Sequence, residues 1–369
     1  MKRVQSIDMV RGFCIFLMVA GHMLDWWIIV SNRLMIFVLF SFLASVAATG
    51  FLFISGFSAA LAYKSRIKKA QSSPEIDLAQ ARNVYIIRAI LLLVIAFIYN
   101  TVVALAINDL RWIWAWNALQ AISICLLLAW PLLRTNKLFR IGIGVGLLIV
   151  NELLYPYLLQ YKDHQNIYGI LFHILYNPDE AFTILAYFAI FIIGTALGDF
   201  FFDFNIIEDP EKRKDSIYRT YIRITLIVGL TSALFGITYR FFPLLPAFLY
   251  RRTISAMFYS LGVVIALLAI LIYLEEFEKL RTKKRYKFFF YFSYYSFTVY
   301  IAHDFLYFLF YRQLNGLLIW VPVIGVITLM TVILKFLHKK VGLKASLKAQ
   351  LGVLSIIIIN KIEQRKSRS

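Results

Sequence analysis

Apolar residues run along this chain in blocks of roughly 20, enough at about 1.5 Å per residue to cross a hydrocarbon layer about 30 Å thick. Ten such blocks are legible: residues 9–30, 34–63, 87–107, 113–133, 141–159, 181–202, 221–239, 254–273, 288–311 and 317–337. With short connections they use nearly all of the 369 residues, so no large soluble domain fits. The pattern predicts an all-α fold, a polytopic transmembrane helical bundle over residues 1–338, followed by a basic tail at 339–369. The second block is too long for one perpendicular helix. It is expected to begin as a re-entrant or interfacial piece that turns near Thr49 and Gly50, leaving "GFLFISGFSAALAYKSR" to cross. In the tail, "KASLKAQLGVLSIIIINKIEQRKSRS" holds an apolar run too short to cross and flanked by Lys and Arg, the pattern of an interfacial amphipathic helix.

Composition agrees with the blocks. Hydrophobic residues make up 61% of the chain and the mean hydropathy is +0.74, well above soluble usage. The formal charge of +19 then needs placing. Basic residues are retained on the cytoplasmic side of a membrane. With the N-terminus inside, the inner loops hold Lys64, Arg66, Lys68, Lys69 and Arg82, then Arg134, Lys137 and Arg140, then Lys212, Arg213 and Lys214, then the run from Lys279 to Lys287. The outer connections carry only Arg33, Arg111, Lys162, Arg240, Arg251, Arg252 and Arg312, and an even number of spans returns the C-terminus to the basic side. The charge is therefore read as topology and contact with anionic membrane lipids; signatures of nucleic acid binding are absent. The chain reads as an integral multi-pass protein of a plasma or cell membrane. Cys14 and Cys125 sit alone in apolar runs as small fillers, and no metal site is expected. The Met-Lys-Arg start leads into a run with no small-residue cleavage site, so the first helix is expected to be retained.

Ionisable side chains inside spans cost about 2.5–3.5 kcal/mol at mid-helix, which makes each a site candidate or a paired structural element. Arg11 and His22 are eleven residues apart. At about 100° per residue they share one helix face, separated by about 16 Å along the axis. Asp8 projects from nearly the same face and can pair with Arg11. In the ninth block, "FSYYSFTVYIAHDFLYFLFY" brings His303 and Asp304 to a depth matching that of His22. Two histidines at one level, a carboxylate beside one of them and an arginine toward the cytoplasm have the elements of an acid/base site joined to an anion site. Asn117 and Gln120 face one way in the fourth block, either to hydrogen-bond a substrate or to join helices. Glu152 lies in the outer half of the fifth, placed to orient a histidine or stand neutral. Ser55, Ser58, Gly50 and Gly56 read as a packing face. The connection 160–180, with Asp163, His164, His173, Asp179 and Glu180, is the longest external one and a place for a substrate to meet the protein.

The blocks "SIDMVRGFCIFLMVAGH", "FLFISGFSAAL", "IWAWNALQAISICLLLAWPLL" and "FAIFIIGTALGDFF" resemble, in order, successive blocks of the heparan-alpha-glucosaminide N-acetyltransferase catalytic-domain family. The interval from Arg11 to His22 is similar to the arginine, ten residues, histidine signature of the related acyltransferase-3 membrane enzymes, and "YSFTVYIAHDF" to their late helix ending in Tyr-x-x-His. The resemblance covers most of residues 1–310. It implies an enzyme that moves an acyl group, usually acetyl, from cytoplasmic acetyl-CoA or another acyl-CoA to a glycan, sugar or lipid-linked acceptor at the outer face. A histidine would carry out the proton transfer. Arg11, beside Asp8, is then the first candidate to hold donor phosphates, with Arg88 and Arg82 behind it. The family's animal members are thought to place a catalytic histidine in the loop after the first helix, but here that loop is Ser31, Asn32 and Arg33. This departure argues against an acyl-histidine route and favours His22 as general base. His303 with Asp304 would orient His22 or the acceptor, while Asn117, Gln120 or helix dipoles stabilise the oxyanion. A proton-coupled transporter or flippase would use the same buried His, Asp and Arg residues, although no convincing internal repeat supports one. The acceptor and the oligomeric state, a homodimer included, stay open at this stage.

Overall fold

The computed structural model describes residues 4–72, 78–176, 183–239, 253–277 and 287–366. Asp179, Glu180, Arg240, Arg251, Arg252 and the basic run 279–285 lie outside the described residues. The described residues form a helical bundle, and nine of their helices are long and apolar enough to cross a membrane. In chain order the helices are α1 (Gln5–Trp27), α2 (Arg33–Ser72), α3 (Leu78–Ala106), α4 (Ala118–Leu132), α5 (Lys137–Leu159), α6 (Ile167–Tyr176) and α7 (Ile184–Asn205). There follow α8 (Pro210–Ser216), which runs through a π-helical turn into α9 (Arg223–Thr238), then α10 (Ile254–Glu276), α11 (Lys287–Tyr294), α12 (Ser296–Ala302), α13 (Trp320–Lys340) and α14 (Leu347–Lys366).

The second and ninth predicted spans differ most in form. The second is one continuous helix of 40 residues with no turn at Thr49 and Gly50. Its small residues serve close packing instead: a Cβ on Gly50 would come within 2.5 Å of Cys14 Sγ, and Thr49 Oγ1 lies 2.9 Å from Ser260 Oγ of α10. At about 60 Å the helix exceeds the hydrocarbon thickness, so its last turns, with Lys64 and Arg66, extend beyond the apolar layer. Lower down, α2 and α7 press backbone to backbone, and a Cβ on Gly56 would meet the Phe191 carbonyl at 2.0 Å. The ninth predicted span, conversely, is broken into α11, α12 and a 3₁₀ turn His303–Phe308. A helix broken at membrane depth needs other partners for its freed carbonyls. Ser346 Oγ donates to the Tyr294 carbonyl at 3.0 Å, and the Thr298 hydroxyl joins the same junction through the Ala345 carbonyl at 3.1 Å.

The start of α1 is fixed by a carboxylate from another helix. Glu275 of α10 accepts from Gln5 N–H at 2.8 Å, Ser6 N–H at 2.7 Å and Ser6 Oγ at 2.5 Å, capping α1 from outside. Glu275→Ala is expected to cost about 1–2 kcal/mol by analogy with a lost N-cap. Thermal unfolding in detergent, compared with Glu276→Ala, checks it. The last helix, α14, packs along α3 and α12: Leu351 is buried with Ala96, Leu119 and Tyr300, and Gln80 bonds Glu363 at 3.0 Å.

Candidate active site

α1 carries Arg11 near its start and His22 three turns on. The 3₁₀ turn after α12 brings His303 to His22, with ring centroids 5.1 Å apart. Trp26, one turn beyond His22, stacks on both rings, at 4.9 Å from His22 and 5.8 Å from His303. His303 is 2% exposed, whereas His22 is half-buried. His303 Nδ1 lies against the Tyr300 carbonyl, which can only accept, so Nδ1 carries the hydrogen and Nε2 is the basic nitrogen. That Nε2 is 3.5 Å from Asp304 Oδ1. The other Asp304 oxygen accepts from the Tyr99 hydroxyl of α3, and the Tyr300 hydroxyl accepts in turn from Ala118 N–H at the start of α4. Asp304 is thus held where it would attract Nε2 once that nitrogen is protonated.

Tyr99, Tyr300 and Trp26 were not among the sequence candidates. Spacing could have pointed to two of them: Trp26 is four residues after His22 and Tyr300 three before His303, both on shared helix faces. Nothing local marks Tyr99.

At the N-terminal end of α1, Arg11 is 8% exposed and donates from Nη2 to Ser58 Oγ at 2.5 Å. Its Nη1 is 3.8 Å from Asp8 Oδ1, which also accepts from Ser293 Oγ at 3.0 Å. The predicted pair is present, tied into α2 and α11. Arg88 lies within electrostatic reach of both Arg11 and Arg66. No carboxylate among the described residues pairs with Arg88. Arg66 opens onto a cavity of about 220 Å³ lined also by Tyr63, Tyr85, Trp130 and Arg134. Trp130 meets Tyr85 at 4.9 Å and Tyr63 at 5.4 Å, and the Arg134 guanidinium sits 5.9 Å from its ring centre. The structure therefore brings Arg11 and Arg88 together and adds Arg66. It leaves Arg82 exposed, bonded at 3.3 Å to neighbouring Asn83.

The remaining candidates make contacts that join or start helices. Asn117 precedes α4 as its N-cap, accepting from Gln120 N–H at 3.0 Å, because residues 110–114 form a 3₁₀ turn instead of continuing the fourth span. Gln120 is fully buried and accepts from Asn100 Nδ2 at 2.7 Å, which ties α3 to α4. Glu152 accepts from Ile254 N–H at 2.9 Å and caps α10, so it is not brought to the histidines by this contact. The described part of the 160–180 connection contains α6, with His173 Nε2 2.9 Å from the Lys162 carbonyl. Arg140, assigned by sequence to an inner loop, is fully buried in α5 and pairs with Asp199 of α7, whose Oδ1 is 3.0 Å from Lys64 Nζ.

Residues 3–239 match the family model described as "Heparan-alpha-glucosaminide N-acetyltransferase, catalytic". The matched stretch contains Arg11, His22, Arg66, Arg88 and Tyr99, while His303 and Asp304 lie beyond it. A search of curated proteins finds no match. With well over half of its length matched, an all-helical bundle and a histidine pair inside it, the chain belongs to the heparan-alpha-glucosaminide N-acetyltransferase catalytic family of membrane acetyltransferases.

Proposed function

We propose that the protein transfers an acetyl group from acetyl-CoA, held at the arginine-rich end of the bundle, to a hydroxyl or amine of a sugar, glycan or lipid-linked acceptor at the histidine end. The observation that carries this reading is the meeting of His22, His303 and Asp304 within one cluster, about 16 Å along α1 from a group of arginines. The basic end is taken as cytoplasmic.

Arg66 and Arg134 flank an aromatic-walled cavity suited to a base and its phosphates, and Arg88 and Arg11 continue the positive charge inward. With the phosphates toward Arg88 and Arg11, a flexible pantetheine arm would carry the thioester the remaining distance, about 16 Å along α1, to His22. As the acceptor attacks the thioester carbonyl, an imidazole takes the proton from its O–H or N–H. The tetrahedral intermediate collapses with cleavage of the C–S bond, and the proton goes to the departing thiolate of coenzyme A. His22, half-buried and closer to open space, is the general base. His303 positions it and shares the proton, its protonated form stabilised by Asp304. The N-terminus of α4, where Ala118 N–H meets Tyr300, supplies a dipole for the developing oxyanion.

The test is purified protein in liposomes with labelled acetyl-CoA inside and candidate amino sugars outside. Label appearing on the external sugar supports the reading. Solute movement with no dependence on acetyl-CoA would instead favour a carrier. In the same assay Arg66→Ala and Arg88→Ala are expected to raise KM for acetyl-CoA about tenfold or more each, with kcat little changed, because charge-assisted hydrogen bonds contribute about 1.5–3 kcal/mol. A fall in kcat at constant KM would place them in the chemistry.

A further inference from the structure

His303 is presented by α12, a helix of only seven residues, and a helix that short does not hold its own orientation. What holds α12 is the chain that follows α13. After Lys340 the backbone turns through Gly342, at a φ of +59° that glycine adopts without strain, and runs back along α12. Hydrogen bonds fasten it there. The Tyr295 hydroxyl donates to the Gly342 carbonyl at 2.9 Å, and the Thr298 hydroxyl donates to the Ala345 carbonyl at 3.1 Å. The same Thr298 oxygen accepts from Leu347 N–H at 3.2 Å, so α14 starts where Thr298 puts it.

From that start α14 lays one face against α3, with Leu351, Ser355 and Ile359 buried at a spacing of one helical turn. Its far end is tied to the start of α3 by Gln80, whose amide donates to Asn360 at 3.2 Å and to Glu363 at 3.0 Å. Anchored at both ends, the helix fixes Leu351 beside Tyr300, in a cluster completed by Ala96, Leu119 and Phe297. Tyr300 is the residue whose carbonyl faces His303 Nδ1, and its ring lies 5.5 Å from the His303 ring and 5.8 Å from that of Tyr99. A displaced Tyr300 would therefore move the imidazole and disturb the tyrosine that donates to Asp304. All of these clamping residues from Tyr295 to Leu351 lie beyond the stretch matched by the family model.

We infer that the segment from Val341 to Leu351 is a clamp that sets the angle of His303 to His22, with Thr298 and Leu351 as positioning residues that act through Tyr300. The effect on rate rests on the acetyl-transfer reading, while the effect on the surroundings of His303 does not. A proton-transferring pair works only while its supporting shell holds it within a fraction of an ångström, and a misplacement of about 1 Å caused from a distance can cost about 10²-fold in rate. On this inference the C-terminal tail is part of the catalytic apparatus, although no group in it touches the reacting atoms.

Two readouts on the full chain in liposomes test the clamp. Thr298→Val, which loses the hydroxyl, and Leu351→Ala are each expected to lower kcat about tenfold or more, with KM for acetyl-CoA within about twofold of its original value. Thr298→Ser and Leu351→Met should restore most of the rate, and Val353→Ala, exposed on the same helix, should leave it unchanged. Because the loss passes through His303, Thr298→Val placed in a His303→Ala background is expected to cost less than about twofold more, whereas a merely structural change would multiply. The second readout needs no turnover. Diethyl pyrocarbonate modifies accessible imidazoles, and mass spectrometry follows His303, which both variants are expected to label about fivefold faster or more. Cys14 and Cys125, both buried, report general loosening through their alkylation by N-ethylmaleimide, which should not change. Unaltered labelling of His303 in both variants, a rise at His303 matched by the cysteines, or a kcat loss undiminished in the His303→Ala background overturns the inference. If the unaltered protein transfers no acetyl group but His303 labelling rises alone in both variants, the function reading fails and the clamp remains.

Discussion

His22→Ala is expected to lower acetyl transfer by about 10²–10⁴-fold, the usual contribution of a positioned acid/base group, with the protein still folded. His22 is half-buried and its ring packs on Trp26 and His303, so truncation removes surface contacts without opening the core. His303→Ala is expected to fall by a similar order, because the imidazole that Tyr300 and Asp304 orient is lost along with the ring that His22 packs against. The double variant separates two arrangements. If the histidines act as one proton-transfer unit, removing both costs little more than removing either. If they act in independent steps, the losses multiply. Tyr99→Phe is a subtler probe: it leaves the ring and removes the hydroxyl that donates to Asp304, so its loss should be smaller and should follow the Asp304→Asn loss. Initial rates with labelled acetyl-CoA in liposomes decide among these. Unchanged turnover in His22→Ala would remove that residue from the chemistry.

What the sequence made legible here is what repeats along one helix. The Arg11 to His22 interval survives because a straight helix turns eleven residues into a shared face wherever it sits in the bundle. The depth match of His22 and His303 survives because apolar length is a ruler when both ends are set by a membrane. Features closed by distant partners were not legible. The break after Tyr294 depends on Ser346, some fifty residues on, to bond its freed carbonyl, and the close approach at Gly50 is set by Cys14 of α1 packed against it. Glu152 read from sequence as a group placed to orient a histidine or stand neutral; its contact with the start of α10 is made only by the fold. Likewise, Arg66 was one of several basic residues near a helix end until Trp130 and Tyr85 were placed beside it.

The most destabilising single change expected outside the histidine cluster is Asp199→Ala. Arg140 was counted as a loop cation, yet it is fully buried, donating from Nη2 to Asp199 and from Nη1 to the Thr195 carbonyl at 3.1 Å. Asp199 also meets Lys64 at 3.0 Å, so one carboxylate faces two cations where α2, α5 and α7 meet. Removing it leaves a guanidinium enclosed in apolar surroundings with only a carbonyl for company, and breaking a buried pair in this way costs about 3–5 kcal/mol. Removing both charges should cost much less, since the expense lies in stranding one charge. Asp199→Leu with Arg140→Met is therefore expected to recover most of the loss, and Asp199→Asn, which still accepts from Arg140, to fall between. Thermal or denaturant unfolding in one detergent across the three variants and the unaltered protein checks the order. A double variant no better than Asp199→Ala would mean that the pair contributes through its geometry, holding α5 against α7, more than through the balance of buried charge.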